Sequence, residues 1–282
     1  MTARPADLTA LIDLPVSGAT PLGGGSINHV YRITIDDTPF CLKVNHLAPP
    51  NFFLCEKQGL EALANSGTVK TPEVVDCGTK HLLLEWLQPS NPRVAQFEHL
   101  GRQLAALHEV RAAKFGFADD NYCGETHQVN TPCHNGYTFF AQHRLLHQVK
   151  LAQNKGLLGP KDVELIDSIS HRLEHYIPAQ PPSLLHGDLW NGNAIFTAEG
   201  PALIDPAAYF GWAEADLAMT KLFGGFISEF YRSYLETRPL EPGFEERIPI
   251  YNLYHLLNHL NLFGSTWYPS VMQVARRFAA KG

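Results

Sequence analysis

Between Leu184 and Asp216 the chain reads LLHGDLWNGNAIFTAEGPALIDPAAYFGWAEAD, which sets His186, Asp188, Asn193, Asp205 and Asp216 between short apolar runs. Leu184-Leu185 leads into His186-Gly187-Asp188, Asn193 follows five residues later, and Ala202-Leu203-Ile204 ends on Asp205. Short buried strands place such residues at loop edges. An Asp at a loop tip accepts a proton from an incoming hydroxyl. An Asn five residues on and an Asp after the next strand supply hard oxygen ligands for magnesium. The chemistry is phosphoryl transfer, with Asp188 as the base and Asn193 and Asp205 as the Mg²⁺ ligands.

The rest of the chain must place these groups. Its 282 residues with 45% hydrophobic content provide for one large or two modest globular domains. The net charge of -6 is spread evenly, with 6 basic and 9 acidic groups in residues 1–88 and 16 and 19 in the remainder. No basic stripe argues for nucleic acid. No apolar run is long enough for a membrane span, and Asp7 and Asp13 interrupt the N-terminal stretch where a signal peptide needs an unbroken apolar region. The five cysteines (41, 55, 77, 123 and 133) are odd in number and lack short paired spacings, which suits a reducing, cytoplasmic setting. Cys123, His127, Cys133 and His134 crowd together without a C-x2-C, and the segment from Asn121 to Asn135 reads as a polar loop with incidental sulfur rather than a zinc site.

Residues 6–14 read as a short helix outside the core. Gly23-Gly24-Gly25-Ser26 then falls between a short extended stretch and an alternating strand, Val30–Ile35, with a returning strand, Phe40–Val44, beyond an Asp36-Asp37 turn. Glycines let backbone N–H groups approach phosphate, although a plain hairpin turn uses the same residues. G-x-x-x-x-G-K-[ST] is absent, so this is not an ordinary P-loop. Lys43 sits on the strand about twenty residues after the glycine loop, the place of a phosphate-contacting lysine in kinase-like folds. A helix over 52–63 and strands at Val74-Val75 and His81–Leu84 complete a five-stranded antiparallel sheet. Gln88-Pro89-Ser90-Asn91-Pro92 then marks a boundary, dividing a nucleotide-binding lobe, 1–87, from a helical catalytic lobe, 88–282. Helices are expected over 93–110, 137–150, 165–176, 215–223, 227–235, 247–263 and 271–280. The pairs His143/His147 and His255/His259 lack a zincin Glu and read as satisfied surface pairs.

HGDLWNGN, then LIDPAAYFGWAEADLAM and LFGGF, resembles the fructosamine kinase (ketosamine 3-kinase) family, relatives of the aminoglycoside and choline phosphotransferases. The resemblance runs over most of the chain. It implies a bilobal α+β protein-kinase-like fold with ATP and Mg²⁺ in the cleft, acting on a small ketosamine or glycated amine. By that resemblance Glu56, with Glu61 as the alternative, pairs with Lys43. The hinge at Glu85, Trp86 and Leu87 holds the adenine edge, and His186 organises nearby backbone. Asp216 braces the catalytic loop from a buried position. Trp190 lies in the cleft, stacking on a sugar or packing, and Glu214 is a further candidate toward substrate. Asp205-Pro206-Ala207 replaces Asp-Phe-Gly and no Ala-Pro-Glu closes an activation segment, which argues against a protein substrate. A kinase of another amino alcohol or aminoglycoside, or an idle nucleotide-binding protein, is the alternative reading.

Overall fold

The computed structural model describes residues 5–23 and 27–279. Its N-terminal part is an antiparallel sheet built from β1 (Val16–Leu22), β2 (His29–Ile35), β3 (Thr38–Val44), β4 (Val74–Cys77) and β5 (His81–Glu85), in the spatial order β1-β2-β3-β5-β4. Asp36 and Asp37 both take positive φ, 46° and 61°, which is the two-residue turn whose twist matches a hairpin, so Ile35 pairs directly with Thr38. The two faces of the sheet are covered separately. Leu42, Val44 and Leu83 pack with Ile33 and with Leu8 and Ile12 of the first helix, α1 (Pro5–Ile12). Leu82, Leu84 and Cys41 pack against Phe53 and Leu60 of α2 (Phe52–Asn65).

The first helix is thus a correction to the sequence reading. Its Leu8 and Ile12, one turn apart, are 2% and 6% exposed and form part of the core. The period of two along β3 also settles the direction of Lys43. It shares a face with Cys41, opposite Leu42 and Val44, and so points toward α2.

The second part is mainly helical. Its elements are α3 (Val94–Leu107), the hairpin β6 (Asn121–Cys123) and β7 (Thr126–Gln128), and α4 (Gly136–Phe139), which runs through a π-helical stretch, Phe140–Leu146, into α5 (His147–Asn154). Next come α6 (Pro160–Ser170), β8 (Ser183–Leu185), β9 (Ala194–Phe196), β10 (Pro201–Leu203) and β11 (Tyr209–Gly211). The chain ends in α7 (Ala213–Thr220), α8 (Ser228–Thr237), α9 (Phe244–Phe263) and α10 (Tyr268–Ala279). Helix α6 begins five residues before the periodicity shows it. Pro160 occupies its first turn and the Asp162 carboxylate accepts the N–H of Gly159 at 2.9 Å. Helices α3 and α8 touch at backbone distance, because a Cβ on Gly101 would stand 2.3 Å from the Phe230 carbonyl oxygen.

Two polar stretches prove to be interior. The expected polar loop of 121–135 contains the β6–β7 hairpin, with Asn121, Gln128 and Asn130 buried. Their amides are satisfied locally: Gln128 Nε2 donates to Asn121 Oδ1 at 2.8 Å and Asn130 Nδ2 to the same oxygen at 2.9 Å. Buried Arg144, from the π-helical stretch, donates to Asn130 Oδ1 at 2.8 Å and lies 3.9 Å over the Tyr209 ring. Helix α9 is buried on almost every side, and several of its polar groups find partners inside. Asn252 donates to the Ala218 carbonyl, Asn258 to that of Cys123, and Tyr254 to Gln128 Oε1. His255, expected at the surface, is 5% exposed in that helix.

Candidate active site

The strand pairs β8–β11 and β9–β10 carry the loops on which the chemistry-bearing residues stand. After β8 the backbone turns at Gly187, with φ +84°. A Cβ there would lie 2.1 Å from the Ala207 carbonyl oxygen, so only glycine permits the approach. The turn is tied from below by Asp216, whose carboxylate accepts the N–H groups of His186 at 2.6 Å and Gly187 at 2.8 Å. His108 donates Nε2–H to the same carboxylate at 3.3 Å while its Nδ1 accepts from the Tyr234 hydroxyl at 2.7 Å. Burial works against ionising Asp216, but His108 and the loop N–H groups hold its pKa below the ordinary carboxylate value.

His186 is fully buried. Its Nε2–H donates to the Ile204 carbonyl at 2.8 Å and its Nδ1 accepts from the Asp188 N–H at 3.3 Å. Those two bonds require the neutral tautomer protonated on Nε2, and burial lowers the imidazole pKa accordingly. One ring therefore connects the residue before Asp205 to the backbone of Asp188.

Asn193 donates through Nδ2 to the Asp188 carbonyl oxygen at 2.8 Å. With the amide nitrogen committed there, the side-chain oxygen is the atom available to a hard cation. The Asn193 carbonyl in turn accepts from the Ile204 N–H at 3.0 Å, which sets Asn193 beside the residue preceding Asp205. Asp205 itself has φ +55°, a left-handed conformation that Asp tolerates better than most side chains. Gln128 and Asn121 of the hairpin donate to the carbonyls of Ala207 and Ala208 and so support the segment after Asp205.

Lys43 reaches across from β3 and bonds both Glu56 of α2 and Asp205. Its side chain is 5% exposed, that of Glu56 12% and that of Asp205 45%. Burial disfavours the ammonium, yet Asp205 and Glu56 hold the lysine pKa above its usual value, so it remains charged. Glu61, the alternative to Glu56, instead lies 3.8 Å from Lys57 on the helix surface. The Asp188 carboxyl is pushed up to about 7 by burial and by the nearby Asp205 and Asp216, with the Asn193 bond acting in the opposite sense.

Lys43, Glu56, Asp188, Asn193 and Asp205 all line one cleft of about 860 Å³, a size suited to a nucleotide and a small acceptor. Gly23 and the hinge residues Glu85, Trp86 and Leu87 line it as well. Gly24, Gly25 and Ser26 lie outside the described residues. Glu214 does not face the cleft: it is 1% exposed and receives two bonds from Arg247, at 2.5 and 2.6 Å, and one from Tyr251 at 3.0 Å. That bond pattern overturns the expectation that Glu214 meets substrate.

The far wall of the cleft was not anticipated. Trp190 lies edge-on to Phe223 at 6.2 Å, and Phe223 is 4.9 Å from the His259 ring, itself 4.7 Å from Trp267. Trp190 and Phe223 stand in quoted motifs, HGDLWNGN and LFGGF, whereas His259 and Trp267 do not. Those two come from α9 and the turn after it, and no spacing in the chain announces their convergence with the motif residues.

A family model described as fructosamine kinase matches residues 8–281. The chain belongs to the fructosamine kinase family. A Vibrio parahaemolyticus protein named probable ketoamine kinase is 41% identical over 263 residues, spanning 91% of this chain and 90% of that one. A chloroplastic protein-ribulosamine 3-kinase of Oryza sativa is 36% identical over 270 residues, 92% and 78% of the two chains. A crystal structure from Thermobifida fusca, assigned as a fructosamine-3-kinase, superposes with a TM-score of 0.89 at 34% identity, covering 99% of this chain and 98% of the other. The streptomycin–ATP complex of an aminoglycoside phosphotransferase has a TM-score of 0.63 at 15% identity over 98% and 97% of the chains, a likeness of fold alone. This member of the fructosamine kinase family has the protein-kinase-like bilobal fold, and no helix among its described residues is long and apolar enough to cross a membrane.

Proposed function

We propose that this protein is an ATP-dependent kinase of ketosamines that phosphorylates the sugar 3-hydroxyl of fructosamine or ribulosamine adducts. The observation that carries the reading is the charged Lys43 bridging Glu56 and Asp205 across the cleft from the Asp188–Asn193 loop. The family membership and the relatives' names support the substrate class. We place the protein in the cytoplasm and its lobe boundary at residues 87/88.

Each residue has a role set by its surroundings. Lys43, kept charged, contacts the α- and β-phosphates, and Glu56 holds it in position. Backbone groups of Glu85 and Leu87 receive the adenine edge, while Trp86 and Gly23 line the nucleotide side. Asn193, through its side-chain oxygen, and Asp205, through its carboxylate, would hold Mg²⁺; the all-oxygen donor set fits this hard cation. When bound, the ion supplies charge neutralisation as the phosphoryl group leaves. Asp188 orients the acceptor hydroxyl and takes its proton. His186 and Asp216 keep that loop in place by the bonds already described, and Trp190 flanks the sugar.

The test is ATP consumption with magnesium against fructosamine, ribulosamine, choline and an aminoglycoside. Turnover of the two ketosamines well above the others is expected. Preference for choline or the aminoglycoside would move the substrate assignment, and ATP binding without turnover of any acceptor would sink the kinase reading.

A further inference from the structure

Beneath Asp188 a second donor set differs in kind from the oxygens assigned to magnesium. Cys123 ends β6, His255 lies in the middle of α9, and Asp188 stands on the loop after β8. One ligand atom from each lies within 4.8 Å of the other two. Cys123 is 2% and His255 5% exposed, and the His255 Nδ1 is buried without a hydrogen-bond partner. A ring nitrogen left without a partner in the interior is destabilising. Cys123 and Asp188 both line the cleft, which gives an ion a way in.

Sulfur, imidazole nitrogen and one carboxylate oxygen are the donors of a borderline-soft ion. Zinc binds them at about 2.0–2.3 Å, which puts neighbouring ligand atoms about 3.3–3.8 Å apart in a tetrahedron. Closing the present spacing takes roughly an ångström of side-chain adjustment on this scale. Burial keeps the His255 imidazole neutral, with its pKa pushed down to about 3, and a neutral ring is the form that ligates. Magnesium has no use for sulfur and little for imidazole, so the two sites select different ions.

We propose that Cys123, His255 and Asp188 form a binding site for a thiophilic divalent cation of the zinc class, and that its occupation reversibly inhibits the enzyme. Binding releases to solvent the proton of the Cys123 thiol and that of any Asp188 still in its acid form, leaves the thiolate, imidazole and carboxylate on the ion, and opens the fourth position to water from the cleft. No oxidation occurs. Inhibition follows because the ion takes the carboxylate that receives the acceptor's proton. This last step rests on the kinase reading above; the binding itself does not.

Two measurements test the proposal. Metal-free protein is equilibrated with Co²⁺, which reports ligand type optically, and separately dialysed against Zn²⁺. One zinc per chain and a near-ultraviolet thiolate–cobalt charge-transfer band are expected, and both should disappear in Cys123→Ser and weaken at least tenfold in His255→Gln. With Mg²⁺ and ATP in excess, Zn²⁺ should inhibit wild type at concentrations at least tenfold lower than it inhibits either variant, each compared with its own zinc-free rate, and a zinc-selective chelator should restore activity. Thermal melts establish that the variants are folded; should one fail to fold, the other carries the comparison, and the cobalt band in wild type stands by itself. Absence of that band, or equal zinc sensitivity in wild type and Cys123→Ser, overturns the site. The band with an undiminished rate overturns the inhibition. Failure to turn over any ketosamine while the band persists counts against the kinase reading alone.

Discussion

Among the described residues the Arg247–Glu214 and the Lys43 clusters both pair opposite charges in the interior, and they differ in one respect. In the Arg247–Glu214 cluster both side chains are nearly inaccessible, at 6% and 2% exposed. Every direction is filled: Arg247 also donates to the carbonyls of Glu241 and Pro242, and Tyr251 caps the carboxylate. In the Lys43 cluster the lysine and Glu56 are similarly enclosed, but Asp205 leaves 45% of its side chain open to the cleft. Arginine suits the closed case, because its planar fork makes two parallel bonds to one carboxylate. Lysine is a compact point charge that can move between partners. A sealed pair can only hold elements together, here α7 to α9. A pair open on one side can exchange its contact with Asp205 for a phosphate and an ion.

The comparison is sharpest where chemistry and stability separate. On the open side, Asp188→Asn should lower kcat by about 10²–10⁴ with little change in melting temperature, the range for loss of a general base; a rate within a few-fold of wild type in a steady-state assay would remove Asp188 from the mechanism. On the sealed side, Arg247→Leu strands the Glu214 carboxylate in the interior and should destabilise the fold by about 3–5 kcal/mol, read by urea unfolding, while the protein that remains folded keeps most of its specific activity. Lys43→Met returns to the open side. Its expected loss is about 10²–10³ in kcat/KM, as for removal of one preorganised charge at a phosphoryl site, with ketosamine KM changed less than ATP KM. Should Lys43→Met unfold the protein as Arg247→Leu does, the distinction between the clusters fails.

The smallest effect concerns pH. His108 is buried and its pKa is lowered, burial outweighing the nearby Asp216. The unfolded chain protonates this ring near pH 6.5 and the folded protein resists doing so. Its share of stability is therefore intact above pH 6.5 and lost as pH falls below, by up to about 1.4 kcal/mol per pH unit. Urea midpoints from pH 7.5 to 5.5 should fall less steeply in His108→Gln than in wild type.

Legibility in the chain followed the range of the interactions involved. The sheet was readable because strand alternation and the Asp36-Asp37 turn act between neighbours. Asp188, Asn193 and Asp205 were readable as a group because one short segment carries all three at fixed spacing, with Gly187 allowing the turn between. Helix α1 looked peripheral because only Leu8 and Ile12 of it are buried, and what covers them comes from the sheet. Helix α6 looked shorter because its first turn is specified by Pro160 and the Asp162 bond rather than by apolar spacing. The 121–135 segment looked like loop because Asn and Gln carry no mark of whether water or Arg144 and the Ala207 carbonyl will satisfy them. His255 and His259 looked like a surface pair for the same reason.

The order of the residues by itself determined the family, the strands of the N-terminal sheet and the grouping of Asp188, Asn193 and Asp205 on one short segment, since these depend on spacings of a few residues and on local backbone preference. Only the tertiary structure decided which polar side chain faces the cleft and which is shut away. It set Glu214 against Arg247, gathered Phe223, His259 and Trp267 opposite Trp190, and brought Cys123 and His255 under Asp188. Burial is a property of what packs against a residue from elsewhere in the chain, and a polar group's role depends on whether that neighbour leaves it an opening.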